Sequence, residues 1–448
     1  MRYSNLLNKQ SFKKVFLGKN IPFSCFLITF TICFLVLYIS AIFNIRDYSS
    51  QIGFSSQIFD YKSFSDGEFY KDSLKYYSNW NIFENLGKNF VSGPIVPLIL
   101  TKLSFENLYV IFSIFSFLIS FSVYLWTKII VDYFKPNILS KLLLIIIIFN
   151  PYNYYFVLKP GSEVPFQFFY AFFSFCLLRT FFNYQLLVFD KLKKILNFRI
   201  YFYSTFFFLF CLILTRPTSL IIGYIFVSLV TFLLIFKKAY IKLFKYDLLL
   251  VYFILFPLSI YSSFLYYEYA NTAINWLNNN ADAIQKFGGI TNNATYFGIH
   301  ELTIKSSLEI YPLIIRFPLY LLWKLSSWIL GICGIRDSFS LVNSDSFETI
   351  NLRIWQVILR VSYGLFIYLP TLIGSLIYFL TNILKVFKLR KNSLENISFL
   401  ILSFISIGVI FPNMFFFNNE RYIFMVFPAL LISFAYSVKS KNFVQYLT

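Results

Sequence analysis

The sequence predicts an all-α fold: a polytopic bundle of about ten membrane-spanning helices with large loops on one side. Hydrophobic residues make up 58% of the 448 residues, and charged residues make up only 13%. A typical soluble domain carries roughly 25% charged residues, because its surface faces water. Apolar runs long enough to cross about 30 Å of hydrocarbon recur along the chain. We therefore treat residues 1–448 as a single membrane domain.

Each predicted span is an apolar run close to the length of roughly 20 residues that a helix needs to cross a bilayer. The predicted spans are 21–43, 106–130, 138–157, 162–184, 200–217, 219–236, 246–267, 356–384, 396–415 and 422–438. The run at 138–157 is interrupted by Pro151 and by the polar Asn150 and Asn153. The first run is too long for a signal peptide and lacks a small-residue cleavage site, so we expect it to be retained.

The basic residues predict the orientation, because short cytoplasmic loops carry an excess of Lys and Arg. Five segments are rich in these residues: 2–19, 191–199, 237–245, 385–391 and 439–441. Ten crossings place all five on one face, which predicts cytoplasmic N- and C-termini in a multi-pass inner (plasma) membrane protein. The net charge of +19 is then a signal of topology, so nucleic-acid binding is set aside.

Residues 307–335 do not fit a simple span. They are apolar but are broken by two prolines and two basic residues, namely Pro312, Pro318, Arg316 and Lys324. If this segment crossed alone, the basic loop at 385–391 would face outward. We therefore expect an interfacial or re-entrant helix on the outer leaflet, with a buried helical hairpin as the alternative.

The loops on the two faces are unequal. Two long outer loops, 44–105 and 268–355, are rich in Asn, Ser, Tyr, Asp and Glu, whereas the cytoplasmic loops are short and basic. Transporters usually hold their polar residues near the middle of the membrane. Polar residues gathered at one interface favour an enzyme that acts at the outer surface. His300 is the only histidine, which excludes most His-based catalysis, and no Cys pair has the spacing of a zinc site.

The first outer loop contains an acidic motif, Ser-Asp-Gly-Glu-Phe-Tyr, at residues 65–70. Ser65 and Glu68 have the spacing of a capping box, which explains both residues without any function. Capping leaves Asp66 unexplained. A carboxylate at a helix N-terminus beside the membrane is well placed as a general base, so Asp66 and then Glu68 are the candidate catalytic residues.

Three outer turns carry further candidates. Gly-Ser-Glu at 161–163 precedes a span, where Glu163 either favours the helix dipole or contacts substrate. Arg216 stands in an Arg-Pro-Thr turn, where it either snorkels or binds a phosphate. Glu420 and Arg421 precede the last span and either pair with each other or bind substrate.

These motifs, in this order, resemble those of the GT-C superfamily of membrane glycosyltransferases. The resemblance is to its dolichyl-phosphate-mannose-dependent and lipid A aminoarabinose transferase-like members. It rests on Asp-Gly-Glu-Phe-Tyr at 66–70, Arg-Pro-Thr-Ser-Leu at 216–220 and Glu-Arg-Tyr at 420–422. Asn-Pro-Tyr at 150–152, followed by Gly-Ser-Glu at 161–163, is similar to the connection between the third and fourth spans of that family.

The resemblance implies transfer of a sugar from a polyprenyl-phosphate carrier to an acceptor hydroxyl on a glycan, a lipid or a protein. Asp66 would deprotonate or orient that hydroxyl, and Arg216 and Arg421 would hold the lipid phosphate. The other candidate substrate-binding residues are Tyr70, Glu163 and Glu420. The motifs do not decide whether a cofactor is needed, and a divalent cation, Mg or Mn, remains open. Two other classes also remain open: a polysaccharide polymerase or O-antigen ligase, and a transporter or flippase of lipid-linked sugars.

Overall fold

The computed structural model describes part of the chain, and every regular element in that part is a helix. The described residues are 20–42, 95–105, 107–134, 136–158, 161–187, 192–216, 219, 222–223, 312–333, 358–359, 361–387, 394–416 and 421–439. The predicted all-α class is confirmed for these residues. The predicted outer loops 44–105 and 268–355 lie largely outside them.

Eleven helices are named here in chain order. They are α1 (Ile21–Ile42), α2 (Ile95–Leu98), α3 (Leu108–Tyr133), α4 (Ile138–Ile148), α5 (Pro151–Leu158), α6 (Glu163–Leu187), α7 (Leu192–Thr215), α8 (Leu313–Ile332), α9 (Leu369–Phe387), α10 (Leu394–Phe416) and α11 (Arg421–Lys439). Two short π-helical segments precede α3 and α9, at Ile99–Leu103 and Gly364–Tyr368.

The described helices identify a membrane protein. Three of them are long and apolar enough to cross a bilayer: Tyr109–Tyr133, Asn197–Thr215 and Val361–Ile383. Four shorter apolar helices accompany them: Ile21–Leu37, Ile138–Tyr154, Ile397–Ile410 and Ile423–Lys439. The number of ten spans stays a prediction, because the runs at 219–236 and 246–267 lie almost wholly outside the described residues.

Contacts between α6 and α7 show that these two helices run antiparallel. Glu163, the first residue of α6, bonds to Arg216, which directly follows α7. Further along, Phe175 of α6 contacts Tyr201 of α7 at a centroid distance of 6.2 Å. We call the end of the bundle where Glu163 and Arg216 meet the Glu163 end.

The opposite end is formed where α3 and α11 terminate. Asp132, near the end of α3, bonds to Arg179 in the second half of α6. Lys439, the last residue of α11, donates to the carbonyl of Tyr133 at 2.7 Å. The helices α3, α6 and α11 therefore run in the same direction, and we call this the Asp132 end.

The helix α9 runs parallel to α11. Tyr368 packs against Phe424 at 5.0 Å, and further along Ser375 donates to the carbonyl of Leu430 at 2.8 Å. Consequently α7 ends and α9 begins at the same end of the bundle, the Glu163 end. This is the arrangement that the predicted orientation of the 385–391 loop requires, and that orientation itself stays a prediction.

The run predicted at 138–157 is a broken helix, α4 followed by α5. Pro151 has no N–H and so ends the hydrogen-bond ladder of α4. The side chain of Asn150 accepts from the N–H of Tyr152 at 3.1 Å, which starts α5, and it also accepts from the hydroxyl of Tyr368. Asn150 and Pro151 thus act as the cap and the first residue of the second helix.

The break leaves the last carbonyls of α4 without helical partners, and three side chains bond to them. The hydroxyl of Tyr363 donates to Ile146 O at 3.1 Å, the amide of Asn153 donates to Ile147 O at 3.0 Å, and the hydroxyl of Tyr154 donates to Ile148 O. Unpaired carbonyls inside a bilayer would cost several kcal/mol each. The polar residues of this run therefore stabilise the break in an apolar setting.

The helix α8 lies within the segment predicted to be interfacial or re-entrant. Ile314 is 86% exposed and Leu322 is 60% exposed, whereas Ile332 and Cys333, at its C-terminal end, are buried. That end packs directly on the backbone at Gly364. In the described residues, α8 therefore joins the bundle through its last turn and presents apolar side chains along its earlier turns.

Gly364→Ala is expected to loosen this junction. A Cβ at Gly364 would lie 2.4 Å from Cys333 Cα and 2.6 Å from Ile332 O, and these backbone atoms move only if α8 moves. Overpacking of this kind costs about 1–3 kcal/mol. The free energy of unfolding, measured for purified protein in mixed micelles, should fall accordingly.

Gly223→Ala is the matched control, because its Cβ would meet only Ile213 Cδ1 at an ordinary 3.7 Å. Alanine favours helix over glycine by about 1 kcal/mol, so this variant should be as stable as the original or more so. Equal stability of the two variants would contradict the close junction at Gly364.

Candidate functional site

Two of the turns singled out in the sequence meet at the Glu163 end of the bundle. Arg216 donates through Nη2 to Glu163 Oε1 at 2.8 Å and through Nε to Ser162 Oγ. These contacts join residues 53 and 54 positions apart in the chain. The antiparallel packing of α6 and α7 creates the site, because it brings the start of one helix beside the end of the other.

The helix termini favour both charges of this pair. Glu163 stands in the first turn of α6, where the helix dipole stabilises an anion. Arg216 follows the last residue of α7, where the opposite end of a helix dipole stabilises a cation. The backbone N–H of Arg216 still bonds to Leu212 O at 3.0 Å, which holds the arginine against the end of α7. Each charge is therefore stabilised by its own helix as well as by its partner.

Burial decides what the pair can do. Glu163 is 4% exposed and Arg216 is 9% exposed, so both lie within the protein and not on an open surface. The guanidinium is therefore fixed in position before any ligand arrives. A phosphate that approached Arg216 would share it, or compete for it, with Glu163. The structure gives Glu163 a direct role in positioning Arg216, a role that neither sequence interpretation of Glu163 included.

Buried polar side chains surround the pair. Thr215 is fully buried and donates to Cys211 O at 2.7 Å, within the last turn of α7. Ser219 is also buried, and its backbone N–H bonds to Arg216 O at 2.9 Å. Gln167, one turn beyond Glu163 on the same face of α6, is buried as well. The Glu163 end is therefore polar inside, in contrast to the apolar surface of the bundle.

None of the other candidate residues from the sequence is described in contact with the Glu163–Arg216 pair. Asp66, Glu68, Tyr70 and Glu420 lie outside the described part of the chain. Arg421 is the first residue of α11, and its backbone stands at the Glu163 end, the same end as Arg216. A cation in the first turn of a helix opposes the dipole there.

Metal binding finds no support in the described residues. Among them, no group of three His, Cys, Asp or Glu side chains has the geometry to hold an ion. The acidic motif that would supply such ligands, around Asp66 and Glu68, lies outside those residues, so the possibility of Mg or Mn stays a prediction.

The sequence interpretation missed the polar contacts at the broken helix. Asn150 is 1% exposed and is linked to Tyr368, a residue of a distant helix that the sequence did not single out. Tyr152 stacks on Phe424 nearby, at an interplanar angle of 12°. The Asn-Pro pair was an available signal, because asparagine caps helices and proline favours their first position. Nothing in the sequence indicated the tyrosine partner.

Comparisons with known proteins found no relative of this chain. Neither a scan against protein-family models nor searches of curated proteins and of solved structures found a match to the chain. The function is therefore argued from the residues and their arrangement.

Proposed function

We propose that this protein is a membrane glycosyltransferase that moves a sugar from a polyprenyl-phosphate carrier to an acceptor hydroxyl at the outer face of the membrane. The observation that carries the proposal is the buried Glu163–Arg216 pair, which unites two motifs of the GT-C resemblance at one end of the bundle. In this proposal the Glu163 end faces outward and the Asp132 end faces the cytoplasm of a multi-pass inner-membrane protein.

The chemistry requires a fixed cation near the carrier phosphate. As the bond between the sugar C1 and the phosphate oxygen breaks, negative charge grows on the departing polyprenyl phosphate. A guanidinium held in place by Glu163 and Ser162 needs little reorganisation to meet that charge. The new bond forms between C1 and the acceptor oxygen. The hydroxyl proton passes to a carboxylate, the role proposed for Asp66.

A transporter is the second candidate, and the broken helix α4–α5 favours it. Discontinuous helices often build substrate sites in transporters, because their ends expose polar backbone groups. Here the carbonyls of Ile146, Ile147 and Ile148 already accept from side chains of the protein itself. The described break therefore presents few backbone groups to a substrate, and the glycosyltransferase remains the better-supported proposal.

A reconstitution assay separates the candidate classes. Purified full-length protein in detergent micelles, given a polyprenyl-phosphate sugar and cell-envelope acceptors, should transfer the sugar and release polyprenyl monophosphate. Envelope glycans and glycolipids of cells that lack the gene should correspondingly lose one sugar by mass spectrometry.

The alternatives predict different products. A flippase needs two membrane faces, so it would show no chemistry in micelles. A polymerase or ligase that uses a diphosphate-linked oligosaccharide would release the diphosphate carrier. Absence of monophosphate release with every sugar carrier tested, together with unchanged envelope glycans, would refute the proposed function.

A further inference from the structure

The π-helical turn directly before α9 contacts both α8 and the broken helix α4–α5. It spans Gly364–Tyr368, and the residues on both sides of it, Tyr363 and Leu369, have α-helical backbone angles. Gly364 and Tyr368 are both buried. Single π turns inside α-helices are rare, and they occur frequently at functional positions. We call residues 364–368 the π turn.

The winding of the π turn places two tyrosines on one side of the helix. Tyr363 and Tyr368 are five residues apart, a separation that points side chains about 140° away from each other in an α-helix. The backbone hydrogen bonds of a π-helix instead join residues five apart, so such residues lie above one another. The two rings accordingly lie 5.5 Å apart between centroids. The π turn therefore directs both tyrosines toward the same neighbour.

That neighbour is the break between α4 and α5. The Tyr363 hydroxyl donates to the carbonyl of Ile146 at 3.1 Å, and the Tyr368 hydroxyl donates to the side-chain oxygen of Asn150. The Tyr368 ring also lies 5.7 Å from the ring of Tyr152, in the first turn of α5. The two tyrosines thus bond to the end of α4 and to the cap of α5.

The first residue of the π turn holds the end of α8. Gly364 lies so close to the backbone of Ile332 and Cys333 that a Cβ would overlap their atoms, and both of these residues are buried. Rewinding the π turn as α-helix would rotate Tyr363 and Gly364 by about 100°, the angle of one residue, relative to α9. Such a rotation would remove Gly364 from α8 and the Tyr363 hydroxyl from α4 at the same time.

We propose that the π turn is a two-state element that couples the attachment of α8 to the broken helix α4–α5. In the observed winding it holds the end of α8 and bonds to the break, and in α-helical winding it releases both. Because π winding is rare, it depends on its surroundings, and the contacts with α8 and with the break stabilise it jointly. Loss of either contact therefore weakens the other, and this relation is reciprocal. The coupling is a property of the fold and does not depend on the proposed transfer reaction.

The thiol of Cys333 reports the release of α8, because it is buried at the junction. Full-length protein in detergent micelles is treated with a maleimide, and the labelling rate of each cysteine is measured by peptide mass spectrometry. Tyr363→Phe and Tyr368→Phe leave Gly364 and α8 unchanged. Each should nevertheless raise the labelling rate of Cys333 about two- to tenfold, the factor expected when local opening no longer breaks one hydrogen bond.

Gly364→Ala tests the coupling in the reverse direction. The substitution acts at the contact with α8, yet it should speed hydrogen exchange at the break. The reporting amides are those of Tyr152 and Asn153, which bond to the side chain and to the carbonyl of Asn150 at 3.1 Å each. Exchange at these amides should rise by a factor similar to the rise in Cys333 labelling, because one opening exposes both places.

Tyr170→Phe is the matched control, because it removes another buried hydroxyl, which bonds to Ser406 at 2.7 Å and has no described contact with the π turn. It should leave Cys333 labelling unchanged. Cys176, buried in α6, should label at its original rate in every variant, since the opening is local.

Three results would overturn the coupling. The first is an unchanged Cys333 labelling rate in both tyrosine variants of the π turn. The second is an equal rise in Tyr170→Phe, and the third is a parallel rise at Cys176, which would show opening of the whole bundle. If Tyr368→Phe fails to fold, Tyr363→Phe decides the question.

Discussion

Asp66→Asn is expected to abolish sugar transfer while the protein still inserts and folds. Asparagine keeps the size of the side chain and caps helices about as well as aspartate. The substitution removes only the basicity needed to take a proton from the acceptor, or the charge needed to hold a metal. We expect normal thermal melting with transfer reduced by at least about 100-fold, the low end for a lost general base.

The control for this prediction is Glu68→Gln, in the same motif. If Glu68 only completes a capping box with Ser65, glutamine preserves that role and transfer should continue. Full activity of Asp66→Asn together with an inactive Glu68→Gln would reassign the base to Glu68. If both variants transferred sugar at the original rate, the glycosyltransferase proposal would lose its main chemical support.

Hydropathy placed the last two described helices closely. The run predicted at 396–415 is α10, Leu394–Phe416, and the run predicted at 422–438 is α11, Arg421–Lys439. This accuracy has a physical cause, because a spanning segment must be both helical and apolar over the full thickness of the hydrocarbon.

The same rule misplaced the start of α7, which begins at Leu192 and not at the predicted residue 200. Its first turns carry Lys193, Lys194 and Arg199, so residues predicted as a basic loop are helical, and hydropathy does not detect a helix that extends beyond the hydrocarbon.

Partners between helices were harder to predict. Arg216 has no acidic neighbour in the sequence, and its ion pair with Glu163 arises only when α6 and α7 pack side by side. One signal was available, since consecutive spans are antiparallel and so bring residues 163 and 216 to the same face. The link between Asn150 and Tyr368 depends instead on packing across 218 positions, which no local pattern specifies.

Removal of one partner of the Glu163–Arg216 pair should strongly destabilise the protein. Glu163→Gln keeps the shape of the side chain but leaves a buried guanidinium opposite a neutral amide. Breaking a buried ion pair by removal of one partner costs about 3–5 kcal/mol. The free energy of unfolding in mixed micelles should fall by this amount, whereas Lys128→Gln, in an i,i+4 pair of greater exposure, should cost less than about 1 kcal/mol.

The same variants distinguish a phosphate-binding arginine from a structural one, because the two roles predict different affinities for a polyprenyl-phosphate analogue. If Arg216 binds the carrier phosphate, Arg216→Ala should weaken binding by about 1.5–3 kcal/mol, which is the typical contribution of a hydrogen bond to a charged group. Glu163→Gln should instead strengthen binding, since it removes the anion that competes for the guanidinium. Both affinities are measured at a temperature where each variant is folded. Unchanged affinity in both variants, with stability reduced as expected, would show that the pair serves to hold α6 against α7. The carrier phosphate would then bind to other cations, and Arg421 would be the first of these to test.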